Sequence, residues 1–262
     1  MNFKFCYGVI TDGSNSERIT TIINSIESWN LPADSYQVVV VGGGPVDRKN
    51  TIHIPFNENE QPGAIKGGWI TRKKNLITKH SKFDNIVYSH DYICPDKDWY
   101  SGFCRYGDDY KVCSNKIFLP NKSTRFRDWI IAPVRKDRLN KKLINKIERH
   151  SLLPYDVTHL HHFVVIGGYY WVAKKHIMEE FPLEEKLVWG EGEDFRWCHA
   201  VQEVYDVSFN PHSSCYLLKE KDPLFHPLPE KVEDELRLLE ITEEDIVHDY
   251  PHYEYKKPID WD

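Results

Sequence analysis

The sequence predicts an α/β fold, a mostly parallel central sheet flanked by helices in a single domain. Three observations predict it. Strand and helix signals alternate through the first ninety residues, as βαβ units require. The run Gln37–Val41 is apolar and β-branched, the pattern of a parallel strand covered on both faces. The chain has 262 residues, 40% of them hydrophobic and 28% charged, enough for a sizeable core without disulfide help.

The elements follow in order. Phe3–Ile10 is a continuous apolar strand. Ser14-Asn15-Ser16-Glu17 forms a capping-box pattern, and Ile19, Ile22, Ile23 and Ile26 follow at helical spacing until Asn30-Leu31-Pro32 stops the helix. After Gln37–Val41 come a short strand at Thr51–Ile54, a Gly-rich loop, a polar helix near Ile70–Lys79 and a strand at Asn85–Ser89. In the second half, Leu139, Leu143, Ile144 and Ile147 mark a short helix, and Phe163–Val172 is an apolar stretch broken by Gly167-Gly168. A helix begins near Glu193, and Val207–Phe209 and Cys215–Leu218 have strand character. From Pro229 the chain is acidic and helix-prone through Glu240, then Pro- and Tyr-rich to Asp262. The main domain is therefore expected over 1–228, with 229–262 an acidic helical appendage. Val232, Leu236 and Leu239 give that appendage one apolar stripe, which suits packing on the main domain.

Composition removes several classes. A net charge of −6 with a pI of about 6.1 argues against a broad basic face for nucleic acid or anionic lipid. No window approaches the roughly 18 apolar residues of a spanning helix. Met1–Ile10 has no small-residue cleavage site, so it reads as a first strand and not a signal peptide. The six cysteines show no C-x-x-C pair, and a reducing, cytoplasmic compartment is expected. With 15 Tyr and 8 Trp, the chain is rich in rings with polar handles, which serve flat polar ligands as well as cores.

Two segments carry chemistry. Asn85–Tyr92 is an apolar strand ending in Ser89-His90-Asp91, which puts a carboxylate at the carboxyl edge of a parallel sheet. A carboxylate there either holds a divalent cation bridging to phosphate oxygens or caps the next turn. The second is Trp189-Gly190-Glu191-Gly192-Glu193-Asp194, three acids interleaved with glycines just before an amphipathic run. Acids at a helix N-terminus are favoured by the dipole, and one beside a pocket is a candidate general base. Solvated N-cap acids are the alternative.

Taken in order, these segments resemble glycosyltransferases of the GT-A fold, similar to family 2 and relatives with a Trp-Gly-Gly-Glu-Asp type motif. The likeness covers roughly residues 3–218. It implies that Thr11, Asp12 and Gly13 after the first strand, and Gly42 after the second, meet the nucleotide within a nucleotide-binding half of about 1–93, residues 94–228 forming the acceptor and catalytic half. Lys74-Asn75 stands where the family has an Arg-Asn pair. Arg72 and Lys74 would meet the diphosphate, or else form a solvated basic helix face. Ser89-His90-Asp91 occupies the D-x-D position, with Asp91 the metal contact and His90 beside the donor. Gly167-Gly168, followed by Lys174, resembles the donor-sugar loop, with Trp189 next to the acidic motif. Asp194 is implied as general base and Glu193 as the residue that orients the acceptor. The implied reaction is transfer of a sugar, with inversion, from a nucleotide-diphosphate sugar to a glycan or other hydroxyl-bearing acceptor, with Mn²⁺ or Mg²⁺ as cofactor. Three departures stand out: Ser89 replaces the first Asp of D-x-D, Val41-Gly42-Gly43-Gly44 lacks acids, and the position of a family metal-binding His falls on Leu217. His212 and His226 are the substitutes, and His226 is taken as the second ligand.

Three other readings compete. His159-x-His161-His162, with Cys104 and Cys113, suggests a zinc cluster, although no tetrahedral Cys/His spacing is present. A nucleotidyltransferase would need a basic Gly-rich loop after the first strand, which Thr11-Asp12-Gly13-Ser14 lacks. A catalytically silent sugar-nucleotide or glycan-binding protein is compatible with the altered D-x-D.

Overall fold

The computed structural model describes residues 3–57, 69–131, 150–187, 192–223 and 226–241. In chain order these form β1 (Phe5–Ile10), α1 (Ser16–Glu27), β2 (Tyr36–Val41), β3 (Thr51–Ile54), α2 (Ile70–His80), β4 (Asn85–His90), β5 (Ile93–Pro95), α3 (Trp99–Tyr106) and β6 (Val112–Phe118). They continue with β7 (Ile130–Ile131), β8 (Ser151–Leu152), β9 (Val164–Val165), β10 (Tyr170–Lys174), α4 (Lys175–Glu180), α5 (Glu193–Gln202), β11 (Val207–Leu217), β12 (His226–Pro227) and α6 (Glu230–Arg237). The helix expected over Leu139–Ile147 lies outside the described residues.

The main sheet has eight strands in the order β3-β2-β1-β4-β10-β6-β11-β5. Its β3-β2-β1-β4 half is parallel, as the alternating strand and helix signals require. The other half is not: β10 runs antiparallel to both β4 and β6, and β5 antiparallel to β11. The sheet is therefore mixed, correcting the expectation of a mostly parallel one. The reason is physical: a strand covered on both faces is continuously apolar whichever way it runs, so composition carries no direction. The two strands expected at Val207–Phe209 and Cys215–Leu218 are one, β11, whose register against β6 shifts between Asn210 and Ser214 around Pro211. A second, small sheet has the order β12-β8-β7-β9.

Both faces of the main sheet are covered. On β1, Phe5, Tyr7 and Val9 pack with Ile19, Ile22, Ile23 and Ile26 of α1 and with Trp99 and Phe103 of α3. Cys6 and Ile10 face the other way, toward Ile77 of α2, Ile177 of α4 and Trp197 and Val201 of α5. The cap of α1 is Asn15, one residue after the expected Ser14; its side chain accepts from the Arg18 amide at 3.3 Å. The acidic appendage begins as α6, whose Leu236 is fully buried in the second cluster. Its last turn is fastened by Arg237 to Asp156 at 2.9 Å. No helix among the described residues is long and apolar enough to cross a membrane.

Candidate active site

The carboxyl ends of β1, β2 and β4 lie side by side, the edge at which α/β sheets bind ligands. Three expected residues meet there. The Asp91 amide bonds the Ile10 carbonyl at 3.1 Å, and the Thr11 hydroxyl donates to Asp91 Oδ2 at 2.8 Å. The Thr11 amide in turn bonds the Val41 carbonyl at 3.0 Å, bringing Gly42 alongside. Gly42 has φ +92°, and a Cβ there would sit 2.3 Å from the Thr11 carbonyl oxygen, so no other residue fits. Thr11, Gly13, Gly42, Gly43 and Arg48 line a cavity of about 230 Å³ between these loops and α1. That is smaller than a whole ligand site of roughly 300–1,000 Å³, and would take one part of a ligand. A larger cavity, about 360 Å³, lies at the opposite sheet edge beside Lys4, Asp84 and Asp108 and holds none of the residues expected to bind the donor or carry catalysis. Burial raises the proton affinity of Asp91, and the charge of Asp12 adds to it, against the Thr11 hydrogen bond. Asp12, exposed, is held low by hydrogen bonds from Ser14.

The second expected group joins the same edge through β10. The His90 amide bonds the Tyr169 carbonyl at 3.0 Å, placing Gly168 beside the end of β4. The Gly168 amide donates to Asp194 Oδ2 at 2.6 Å, and the Phe195 amide to Asp194 Oδ1 at 2.9 Å. One backbone donor thus orients each carboxylate oxygen. Glu193, the first residue of α5, is buried; burial and the neighbouring Asp194 charge raise its pKa, with Lys74 opposing. Lys74 is fully buried, donates to the Gly168 carbonyl, and lies 4.5 Å from the Trp171 ring centroid. Burial pushes its ammonium down to about 8, with the charges of Glu193 and Asp194 resisting the fall.

Other expected residues go elsewhere. Lys74 is spent on the backbone, neither solvated nor displayed to a ligand. Arg72 stacks over Trp69 at 4.9 Å, with Glu185 at 3.9 Å from its Nε. Asn75 clamps Leu183, donating to its carbonyl at 2.8 Å and accepting from its amide at 3.0 Å. Lys174 pairs in register with Asn85 at the opposite end of β4, where it binds Asp108. His90 is half-buried, and burial with the nearby Lys74 charge keeps its imidazole well below the usual histidine range. Gly167 lies under the Tyr169 ring. Trp189 lies outside the described residues. His226 sits in β12 of the small sheet, and only its backbone is described. Of the aromatic excess, Tyr88, Trp171 and Trp197 form one buried stack with centroids 5.0 Å apart at each step, so these rings fill core. Ser89, in place of the first acid of D-x-D, is buried with its hydroxyl on the His90 carbonyl at 2.9 Å.

Lys219, Lys221 and Arg127 were not anticipated. The Leu218 amide bonds the Tyr92 carbonyl at 2.8 Å, and both lysine ammoniums lie over the Tyr92 ring, at 4.3 and 3.9 Å. Burial, Lys219 and Arg127 hold Lys221 down to about 8. A Lys-x-Lys directly after a strand that returns to the Asp91 edge is the only signal the sequence offers, and it needs the topology to be legible.

A divalent cation at Asp91 asks for several oxygen ligands. Asp91 already accepts from Thr11, and the two carboxylates Asp12 and Asp91 share their surroundings with Arg18, Lys73, Lys219 and Lys221. This donor set does not fit a dication held by the protein. Among the described residues, the one cluster of three metal-type side chains is His161, His162 and Asp206, with ligand atoms within 4.8 Å of one another. It differs from the expected zinc set, since His159 bonds the Leu236 carbonyl instead. It also lies at the far sheet edge: Asp206 precedes Val207, which is level with Val112, Ala173 and Ile86.

No protein-family model and no curated protein sequence matches the chain. Solved structures do. A 1–349 fragment of S. aureus TarS in complex with UDP-GlcNAc aligns at TM-score 0.53 and 12% identity, over 89% of this chain and 64% of that one. TarS itself aligns at TM-score 0.53 and 14% identity, over 89% of this chain and 42% of that one. The chain shares the fold of S. aureus TarS. The fragment in complex with UDP aligns similarly, at TM-score 0.50 and 12% identity over 82% of this chain and 61% of that one. The chain therefore spans between 42% and 64% of the TarS chains it matches. The architecture is GT-A-like, with the mixed sheet described above.

Proposed function

We propose that the chain is a glycosyltransferase of the family 2 type, moving a sugar from a nucleotide-diphosphate donor to the hydroxyl of a glycan or similar acceptor with inversion. The observation that carries this is the convergence of Asp91 and Asp194 on one sheet edge, linked through Thr11 on one side and the His90–Tyr169–Gly168 backbone on the other. TarS, with the same fold, was crystallised with UDP-GlcNAc and with UDP, which favours a nucleoside diphosphate as the leaving group. All six cysteines are free and five are buried, which suits a reducing, cytoplasmic-type compartment.

In the proposed step, Asp194 takes the acceptor hydroxyl proton as that oxygen forms a bond to the anomeric carbon. The bond from that carbon to the phosphate oxygen breaks, and its electron pair leaves with the nucleoside diphosphate. Glu193, less acidic and buried beside Asp194, orients the acceptor. The loops bearing Thr11, Gly13 and Gly42 receive the nucleotide. Mn²⁺ or Mg²⁺ at Asp91, which the family resemblance implies, would supply charge neutralisation for the leaving group, but the donors around Asp91 do not fit it and no step is assigned to it. Asp194→Asn tests the reading directly. Transfer should fall by about 10²–10⁴-fold, the usual contribution of a general base, while nucleotide affinity stays within a few-fold. Wild-type transfer by this variant would remove Asp194 from the reaction.

A further inference from the structure

We propose that Lys219 and Lys221, rather than a divalent cation, neutralise the diphosphate of the nucleotide donor. This rests on the glycosyltransferase reading and names the charge that the same site uses.

The placement comes from the fold. Strand β11 ends at Leu217, and the next amide, Leu218, bonds the Tyr92 carbonyl at 2.8 Å. The chain that follows is thereby pinned beside Asp91. Arg127 fastens it from the other side, donating to the Pro223 carbonyl at 3.3 Å and the Asp222 carbonyl at 3.2 Å. Tyr169, next to Gly168, donates its hydroxyl to the Arg127 carbonyl. The cationic segment is thus tied to the loop that orients Asp194.

Within this frame, two ammonium groups lie over the same aromatic ring, 4.3 and 3.9 Å from the Tyr92 centroid, and feel each other's charge. Neither forms a salt bridge among the described residues, whereas Lys4, Lys122 and Lys174 each do. Like charges held together repel unless an anion joins them. Asp91, whose carboxylate interacts electrostatically with both lysines, accepts from Thr11 and carries a single charge. A diphosphate has several negative oxygens and supplies the missing countercharge. A divalent cation entering the same place would instead meet two lysines at close range. The overall charge of −6 sharpens the point, since an anionic ligand must be captured by local cations and not by the field of the whole molecule.

The experiment is calorimetric titration of the wild-type protein with UDP, GDP, ADP and inorganic pyrophosphate, each in EDTA and in Mn²⁺. The matching nucleoside, which lacks phosphate, serves as control. One diphosphate should bind in EDTA with an affinity within about threefold of that in Mn²⁺. Lys219→Ala/Lys221→Ala should weaken it by roughly 10- to 100-fold, the scale of losing charged hydrogen bonds, and leave nucleoside binding unchanged. Lys219→Arg/Lys221→Arg should restore most of the affinity. Both variants alter partly exposed side chains, and an unchanged melting temperature verifies their fold. If binding vanishes in EDTA, returns with Mn²⁺ and ignores the alanine variant, the lysine assignment is overturned while the donor reading stands. If no nucleoside diphosphate binds the wild type under either condition, both fall together.

Discussion

Gly168→Ala probes the positioning of Asp194 without touching a titratable group. A Cβ built on Gly168 would lie 2.9 Å from Asp194 Oδ2, 3.0 Å from its Cβ and 3.1 Å from its Cγ. Comfortable contact between such atoms is about 3.5 Å or more, so the carboxylate must retreat by about 0.5 Å. The loop cannot yield instead. The Gly168 carbonyl is held by buried Lys74, and β10 begins two residues later in register with Ser89. The retreat stretches or breaks the 2.6 Å bond from the Gly168 amide, which fixes one of the two carboxylate oxygens. A misplacement of 1 Å at a reacting group costs about 10²-fold in rate, so half that distance plus a lost orienting bond should lower kcat by roughly 10- to 100-fold. Donor KM should stay within about twofold, because the three nearest neighbours of the added Cβ are all atoms of Asp194. Stability should fall only modestly: overpacking of about 1–3 kcal/mol is partly offset by about 0.4–1 kcal/mol from a stiffer unfolded chain. Steady-state transfer with thermal melting measures both effects. A variant with wild-type kcat would refute the claim that Gly168 is glycine in order to seat Asp194.

Two further predictions separate structural roles from ligand contacts. Lys74 titrates near 8 when folded and near 10.4 when unfolded, so between those values the unfolded chain binds more protons and the folded state gains stability as pH rises. Relative to Lys74→Met, the wild type should therefore gain about 3 kcal/mol in denaturant titrations between pH 7.5 and 10.5, and a flat difference would show that Lys74 is not buried as a charge-averse group. Asn75→Ala removes both bonds to the Leu183 backbone and should destabilise by about 2–4 kcal/mol without changing nucleotide affinity. A selective loss of nucleotide binding would return Asn75 to the donor site.

Much of the parallel half of the fold is written locally in the chain. The isoleucines of α1 repeat at helical spacing and all four are buried, and the apolar run before Asp91 ends within a residue of β4. Strand direction is not written this way, which is why β10 was expected only as an apolar stretch and emerged antiparallel. The bulged continuity of β11 was hidden for a related reason, since Asn210-Pro211 has the composition of a turn while its neighbours keep pairing with β6. Residues at the site divide along the same line. Asp91, at a strand end, could be placed at the sheet edge from pattern, whereas Thr11 and Gly42 came from the family resemblance. Lys219 and Lys221 reach Tyr92 only because β11 returns to β5, a pairing between residues at least 120 apart in sequence.

Helix α2 shows what polar composition conceals. Arg72-Lys73-Lys74-Asn75 suggests a solvated face, yet Lys73, Lys74 and Asn75 are all buried. Each reaches a different backbone segment: Lys73 donates to the Thr11 carbonyl at 2.8 Å, Lys74 to the Gly168 carbonyl and Asn75 to the Leu183 carbonyl at 2.8 Å. Consecutive helical residues project about 100° apart, so three adjacent side chains can address three directions at once. The Thr11 loop, the Gly168 loop that orients Asp194, and the segment at Leu183 are thus referenced to one rigid helix. Groups that must be held within about 0.5 Å of a working geometry need such support from outside the loops that carry them. The buried basic helix is accordingly a brace for the cleft. Lys219 and Lys221, proposed above to meet the diphosphate, lie beside Tyr92 instead.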